Sequence, residues 1–207
     1  MVWLLYLPLS LITMLICYIL NPIVLLFCDK DGELHGFLHY FQTWDDSCNP
    51  RCAVMEMAPK IISYDWDKHY IEYQTQTPEL APYNRTRWVA KCINDDFTIG
   101  ERIKRYLCRV YWLTRNCSYG FSFYWFGCEY DPEDLVIDKN YPDGRNRTAH
   151  TKGADKWSSY WCYKNSDNIF GSVYWNVYLG WKLDLHPKGH TRAMIANRIA
   201  FKLHEDY

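Results

Sequence analysis

Between Met1 and Cys28 there is no lysine, arginine, aspartate or glutamate. That gap removes the basic opening of a secretory signal peptide. Neither Asn21-Pro22-Ile23 nor Leu26-Phe27-Cys28 supplies its small-x-small cleavage site. The rest of the chain has no low-complexity tract, no repeat at solenoid period and no long block of one charge. A net charge of −1 provides no global field to draw in nucleic acid or an acidic substrate. Nine cysteines, at positions 17, 28, 48, 52, 92, 108, 117, 128 and 162, form an odd set without framework spacing, which suits a reducing compartment better than an oxidising one. No catalytic signature stands above background.

What is present begins with an apolar run. Crossing roughly 30 Å of hydrocarbon takes about 20 apolar residues in a helix, and the run exceeds that. A single segment inside lipid can satisfy its backbone only as a helix. Pro8 falls near the first turn, where its missing N–H costs little. Asn21-Pro22 predicts a kink or break after about Leu20 and a short apolar continuation to Cys28, because proline clashes with the preceding turn and biases the residue before it away from helical angles. Residues 1–28 are therefore expected to be a membrane anchor, and residues 29–207 a single membrane-associated α+β domain of ordinary size. The positive-inside rule has only Lys30 to count, set among Asp29, Asp31 and Glu33. The cysteine usage favours a cytoplasmic C-terminal region. Three Asn-x-Ser/Thr triplets, at Asn84, Asn116 and Asn146, match a pattern short enough to recur by chance. The 18 tyrosines and 10 tryptophans suit an interface that is dry on one side and wet on the other.

Residues 29–60 are turn-rich, with room for a short helix over Leu34 to Phe41, and residues 61–97 read as irregular structure. Thr98-x-x-Glu101 is a capping box. Ile99, Ile103, Tyr106, Leu107, Val110 and Leu113 then recur at helical spacing, with Arg102, Lys104, Arg105 and Arg109 opposite. A basic amphipathic helix running into the uncharged aromatic block 117–128 suits a helix lying in the headgroup layer, and an ordinary helix docked on the core fits equally. The predicted membrane contacts are Trp3, Tyr6, Arg102, Arg105, Arg109, Phe121, Tyr124 and Trp125. Further on, Trp157 to Lys164 is strand-like. Val173 to Leu185 alternates apolar and polar residues with a period of two, a turn follows at 186–190, and a return strand from Ala193 to Leu203 closes a hairpin.

One dense set of ligand-type residues follows the apolar run. His35 and His39, four apart, would share one face of an α-helix, and Asp45, Asp46, Cys48 and Cys52 come soon after. The plainer reading is a set of polar residues that tie down a loop. The sharper one is a metal or catalytic site using His35, His39, Asp45 and Asp46, with His35, His39, Cys48 and Cys52 as the metal-ligand set. Asp65, Asp67 and His69 could hold half of an acid–base dyad. His186 and His190 flank a turn and read as solvated, and Asp95-Asp96 places negative charge before a helix N-terminus.

The uncharged N-terminus, Glu33-Leu34-His35-Gly36-Phe37-Leu38, Thr43-Trp44-Asp45-Asp46-Ser47, Trp112-Leu113-Thr114-Arg115-Asn116 and Leu179-Gly180-Trp181-Lys182 together resemble a family of small tailed-bacteriophage membrane proteins of unknown function. The resemblance covers most of the chain. It implies a phage-encoded protein at the bacterial inner membrane, and it brings no activity with it. The expectation is thus an α+β chain with an N-terminal transmembrane helix, an amphipathic interfacial helix and a small antiparallel sheet with a C-terminal hairpin. Its expected partners are the lipid bilayer and a host or phage membrane protein. No cofactor and no nucleic acid are expected. A membrane-interface metal-dependent enzyme and a virion component delivered into the envelope are the alternatives.

Overall fold

The computed structural model describes residues 2–43, 47–48, 66–76, 86–129, 135–140, 147–151, 162–170, 173–182 and 192–202. The chain is α+β and divides into two compact units. One comprises residues 1–11, 80–83 and 122–207, and the other residues 12–79 and 84–121. Helix α1, Val2–Val24, contributes its first turns to one unit and the remainder to the other. A 3-10 turn, Leu25–Phe27, ends it.

Helix α1 does not break at Asn21-Pro22, which corrects the sequence expectation. Proline removes one backbone donor, and side-chain contacts to the same turn hold the helical path. Asn21 is fully buried, its Nδ2 donating to the Leu113 carbonyl at 3.1 Å, and the Tyr106 hydroxyl donates to the Pro22 carbonyl at 2.8 Å. Among the described residues, α1 with its 3-10 turn is the one helix long and apolar enough to cross a membrane, Trp3–Phe27 having a mean hydropathy of 2.3.

In the second unit α2, Ile99–Arg115, packs beside α1. Tyr106 meets Pro22, Leu113 meets Asn21, and the Cys117 thiol donates to the Met14 carbonyl at 3.3 Å. Residue numbers rise along α2 as they fall along α1, so the two helices run antiparallel. The capping box is present as predicted. Glu101 Oε2 accepts from the Thr98 N–H at 2.6 Å, and Thr98 Oγ1 accepts from the Glu101 N–H at 3.3 Å. Residues 61–97 are not irregular throughout: Tyr70–Gln76 (β1) and Thr86–Cys92 (β2) pair antiparallel, Tyr70 opposite Cys92. Trp66, Tyr70, Ala90, Cys92, Phe97 and Cys108 form the core that joins this hairpin to α2. Burying each large side chain of such a cluster contributes about 1.5–3 kcal/mol.

The first unit holds a six-stranded antiparallel sheet. Its strands are Cys128–Glu129 (β3), Leu135–Asn140 (β4), Arg147–Thr151 (β5), Cys162–Phe170 (β6), Val173–Lys182 (β7) and Arg192–Lys202 (β8), in the order β3-β8-β7-β6-β5-β4. Strands β7 and β8 are the predicted hairpin, with Trp181 opposite Ile195. Of the predicted strand Trp157 to Lys164, Cys162 to Lys164 falls in β6, and 157–161 lie outside the described residues. Trp3 at the start of α1 packs with Trp181, Ala193 and Ile195, and its indole Nε1 donates to the Ala196 carbonyl at 3.2 Å. Asn197 Nδ2 likewise donates to Ser10 Oγ at 2.7 Å. The first turns of the apolar helix are thus fastened to the sheet at two polar points.

Short helix α3, Tyr119–Tyr124, follows α2. Gly120 at its start has no substitute: a Cβ there would lie 2.5 Å from the Tyr40 carbonyl oxygen and 2.6 Å from that of Gln42.

Candidate functional site

A dense polar construction in the second unit sits where α1 ends, in the turn from Cys28 to His35. Asp29 organises it. Its Oδ1 accepts from the Glu33 N–H and its Oδ2 pairs with His35 Nε2, both at 2.8 Å. Its carbonyl accepts from the N–H of Gly32, whose φ of 88° is open to glycine at little cost. Gln42 ties the next stretch down, its Oε1 accepting from the Leu34 N–H and its Nε2 donating to Glu33 Oε2, both at 2.8 Å. Asp31 Oδ1 accepts from the Cys92 N–H at 2.7 Å and so links the turn to β2.

Arginine 109 reaches this turn from α2. It is 5% exposed, and its Nη1 and Nη2 donate to the carbonyls of Asp29 and Lys30 at 3.1 and 3.2 Å. Arg105 also points inward. It donates to the Tyr70 hydroxyl at 3.0 Å, lies 4.2 Å from the Phe97 ring centroid and is 3.5 Å from Asp95. Tyr70 passes the connection on by donating to the Lys30 carbonyl at 3.0 Å. Burial raises the Tyr70 phenol above its ordinary value, against the opposing effect of Arg109 and Arg105.

These contacts correct the orientation expected of α2. The side predicted to carry arginines outward buries Arg109, while Ile99, Ile103 and Leu107 of the predicted packing stripe are 79%, 55% and 41% exposed. Guanidinium groups bond carbonyls and stack on aromatic rings, so they can enter a polar interior that an isoleucine would leave unsatisfied. Arg102 stays exposed, its Nε donating to the Phe97 carbonyl at 3.3 Å.

Other predicted contact residues separate in the same way. Trp3 is buried against the sheet, and Phe121, 6% exposed, packs among Phe37, Tyr40 and Phe41. Both are expected from the sequence at a membrane surface and are core residues instead, because each finds aromatic or strand partners within its own unit. Tyr6 is partly exposed beside Phe126 and Trp181, Tyr124 is half-buried, and Trp125 is 53% exposed.

His35 and His39 do not share an α-helical face. The short helix over Gly36–Phe41 is 3-10, and His35 precedes it in extended conformation. At three residues per turn, positions four apart point a third of a turn away from each other. His35 pairs with Asp29, and His39 lies beside the Tyr40 ring. Asp45, Asp46, Cys52, Asp65, His186 and His190 lie outside the described residues. Among the described residues no group of three or more His, Cys, Asp or Glu side chains is placed to hold a metal ion. His69 is buried, stacked on Phe97 at 3.9 Å, with Nδ1 on the Asn94 carbonyl at 2.9 Å. That is the geometry of a packed structural histidine.

Cys28, half-buried at the end of the apolar helix, and Cys48, fully buried, are both held through their backbones: the Cys28 N–H donates to the Leu25 carbonyl at 3.3 Å and the Cys48 N–H to the Gly32 carbonyl at 2.8 Å.

A family model matches residues 1–204 of this architecture. The chain belongs to the family of unknown function DUF7338. The match spans both units and the apolar helix, and it carries no activity and no indication of phage origin. No curated protein and no solved structure matches the chain significantly.

Proposed function

We propose that this DUF7338 protein is a non-enzymatic membrane protein in which α1 enters the bilayer and the outer stripe of α2 rests on it. The observation that carries this reading is the apolar surface of α1. Leu5, Leu15, Ile19 and Leu26 are 68%, 61%, 72% and 69% exposed, along a helix whose opposite side buries Trp3, Asn21 and Val24. Water-soluble proteins rarely leave a contiguous apolar surface of that kind open. The stripe Ile99, Ile103 and Leu107 adds a second such surface in the same unit as the C-terminal half of α1. Lipid would cover both without leaving a backbone polar group unsatisfied, since both belong to α-helices.

In this reading residues 1–28 anchor the chain, and residues 29–207 form the membrane-associated remainder with its C-terminal region in the cytoplasm. The resemblance to tailed-phage membrane proteins leads us to assign it to the host inner membrane, where it contacts lipid and a phage or host membrane protein. Carbonate extraction of membranes from cells expressing the full chain tests the anchoring. The intact protein is expected in the pellet, and its recovery in the wash would overturn the reading.

A further inference from the structure

Buried and open positions on α1 fall on two separate lines. Trp3, Ser10, Cys17 and Val24, each seven residues after the last, are all buried, whereas Leu5, Ile12, Ile19 and Leu26, at the same spacing, are all more than half exposed. Seven residues make nearly two helical turns, so each set is a single stripe, and a shift of two residues sets the stripes about 200° apart. One side of the helix is therefore covered by protein from its first turn to its last, and the opposite side is open over the same length. Tyr6 and Tyr18, both partly exposed, each stand one residue from the open stripe and about 100° to either flank of it.

What covers the closed side has no place in hydrocarbon. In the first unit, Trp3 and Ser10 are held by Ala196 and Asn197 of β8. The sheet to which β8 belongs is open, its end strands β3 and β4 being unpaired with each other among the described residues, and lipid cannot satisfy the edge of an open sheet. In the second unit, Met14, Asn21 and Pro22 are held by Cys117, Leu113 and Tyr106. Arg115, which is exposed, lies between the Leu113–Asn21 and Cys117–Met14 contacts and so beside the middle of α1. A helix crossing the bilayer would carry that arginine towards the centre, among the costliest places for it. Successive fastenings along α1 are never more than seven residues apart, about 10 Å, against roughly 30 Å of hydrocarbon to be crossed.

We propose, building on the lipid contact above, that α1 lies in the plane of a phospholipid bilayer, its open stripe sunk along its whole length into one leaflet, so that neither its start nor its end reaches the far leaflet. An in-plane helix meets acyl chains with its apolar face and headgroups with its flanks. Tyr6 and Tyr18 stand on those flanks, where a phenol keeps its ring in the apolar layer and its hydroxyl in the wet one. Lys30, exposed just beyond the stripe, is the first cation available to the headgroup phosphates. The same direction lets the exposed Ile99, Ile103 and Leu107 of α2 reach lipid without taking Arg115 through the bilayer centre.

The test uses the full chain on vesicles of phosphatidylethanolamine and phosphatidylglycerol, with an encoded dansyl amino acid in place of Leu5, Ile12, Ile19 or Leu26 in turn. All four positions are exposed, so the buried stripe and the nine cysteines stay as they are. Three quenchers are compared: a lipid with its nitroxide high on the acyl chain, a lipid with its nitroxide near the chain end, and aqueous iodide. At 1.5 Å per residue the four positions extend over about 30 Å of helix. An in-plane helix holds all of them at one depth of about 5–10 Å, so the shallow nitroxide should quench each more than the deep one, with ratios agreeing to within about twofold. Stronger quenching of Ile12 and Ile19 positions by the deep nitroxide, and of Leu5 and Leu26 positions by the shallow one, would show a crossing helix and overturn the proposal while leaving lipid contact intact. Quenching by iodide alone at all four would overturn the lipid contact and the proposal together. Protection from all three quenchers would place a protein surface, such as a second copy of the chain, on the stripe and overturn it as well.

Discussion

Replacing Arg109 by methionine tests the inward orientation of α2. Methionine keeps most of the apolar stem and volume, so the change removes a charge and two hydrogen bonds while opening little cavity. A net hydrogen bond from a charged donor contributes about 1.5–3 kcal/mol, which gives an upper figure of about 6 kcal/mol for two. Both acceptors keep another donor. The Asp29 carbonyl still accepts from Gly32, and the Lys30 carbonyl still accepts from Tyr70. Relieving the desolvation of a buried guanidinium offsets part of the remainder. We therefore expect R109M to destabilise the second unit by about 2–3 kcal/mol, a fall in Tm of roughly 5–10 °C at the usual scaling for this chain length. Arg109→Lys, which keeps the charge but not the planar fork, should recover about half of the loss. Melting the detergent-solubilised full chain while following tryptophan fluorescence reads the effect, with Trp66 and Trp112 buried in the affected unit. If R109M leaves Tm unchanged and lowers binding to anionic vesicles, Arg109 reaches the headgroups and the inward orientation of α2 is refuted.

Gly120→Ala should cost about 2–3 kcal/mol in the same melt, because its Cβ would press on the Tyr40 and Gln42 carbonyl oxygens, which are main-chain atoms and cannot swing aside; an unchanged Tm would mean that α3 and the 40–42 backbone can separate without loss. Thr98→Ala should cost about 1 kcal/mol by removing one half of the capping box while Glu101 still accepts from the residue 98 N–H. A loss above about 2 kcal/mol, beyond the range of an exposed cap, would require a role for Thr98 outside the cap.

Local chemistry is legible in the sequence. The capping box needs only residues 98–101, and the β7–β8 hairpin is written in a two-residue alternation that any half-buried strand must show. The apolar run likewise announces a long helix by composition alone. The features that escape depend on partners remote in the chain. Asn21-Pro22 continues as helix because Leu113 and Tyr106 hold its turn, and nothing within α1 signals that. Sorting α2 by charge puts arginines outside, but Arg109 and Arg105 find carbonyls, a phenol and a ring to bond, while Ile99 and Ile103 face outward. The Tyr70–Gln76 strand is hard to read because Tyr-Ile-Glu-Tyr-Gln-Thr-Gln mixes polar and aromatic residues without a clean period, and its pairing with Thr86–Cys92 supplies what alternation does not. At the end of α1 the ligand-type residues are visible, whereas their grouping is not: His35 turns to Asp29, and the Cys48 N–H reaches back to the Gly32 carbonyl.

On the reading proposed above, the outward apolar faces of α1 and α2 contact lipid. Site-directed spin labelling of the full chain in liposomes tests it, with nitroxides placed in turn at Ile19, Ile103 and the exposed Asp96. Oxygen concentrates in hydrocarbon and a charged nickel chelate stays in water, so their relative effects on nitroxide relaxation report the surroundings of each position. Oxygen is expected to dominate at Ile19 and Ile103 and the nickel chelate at Asp96; dominance of the nickel chelate at Ile19 and Ile103 would refute lipid contact by these faces.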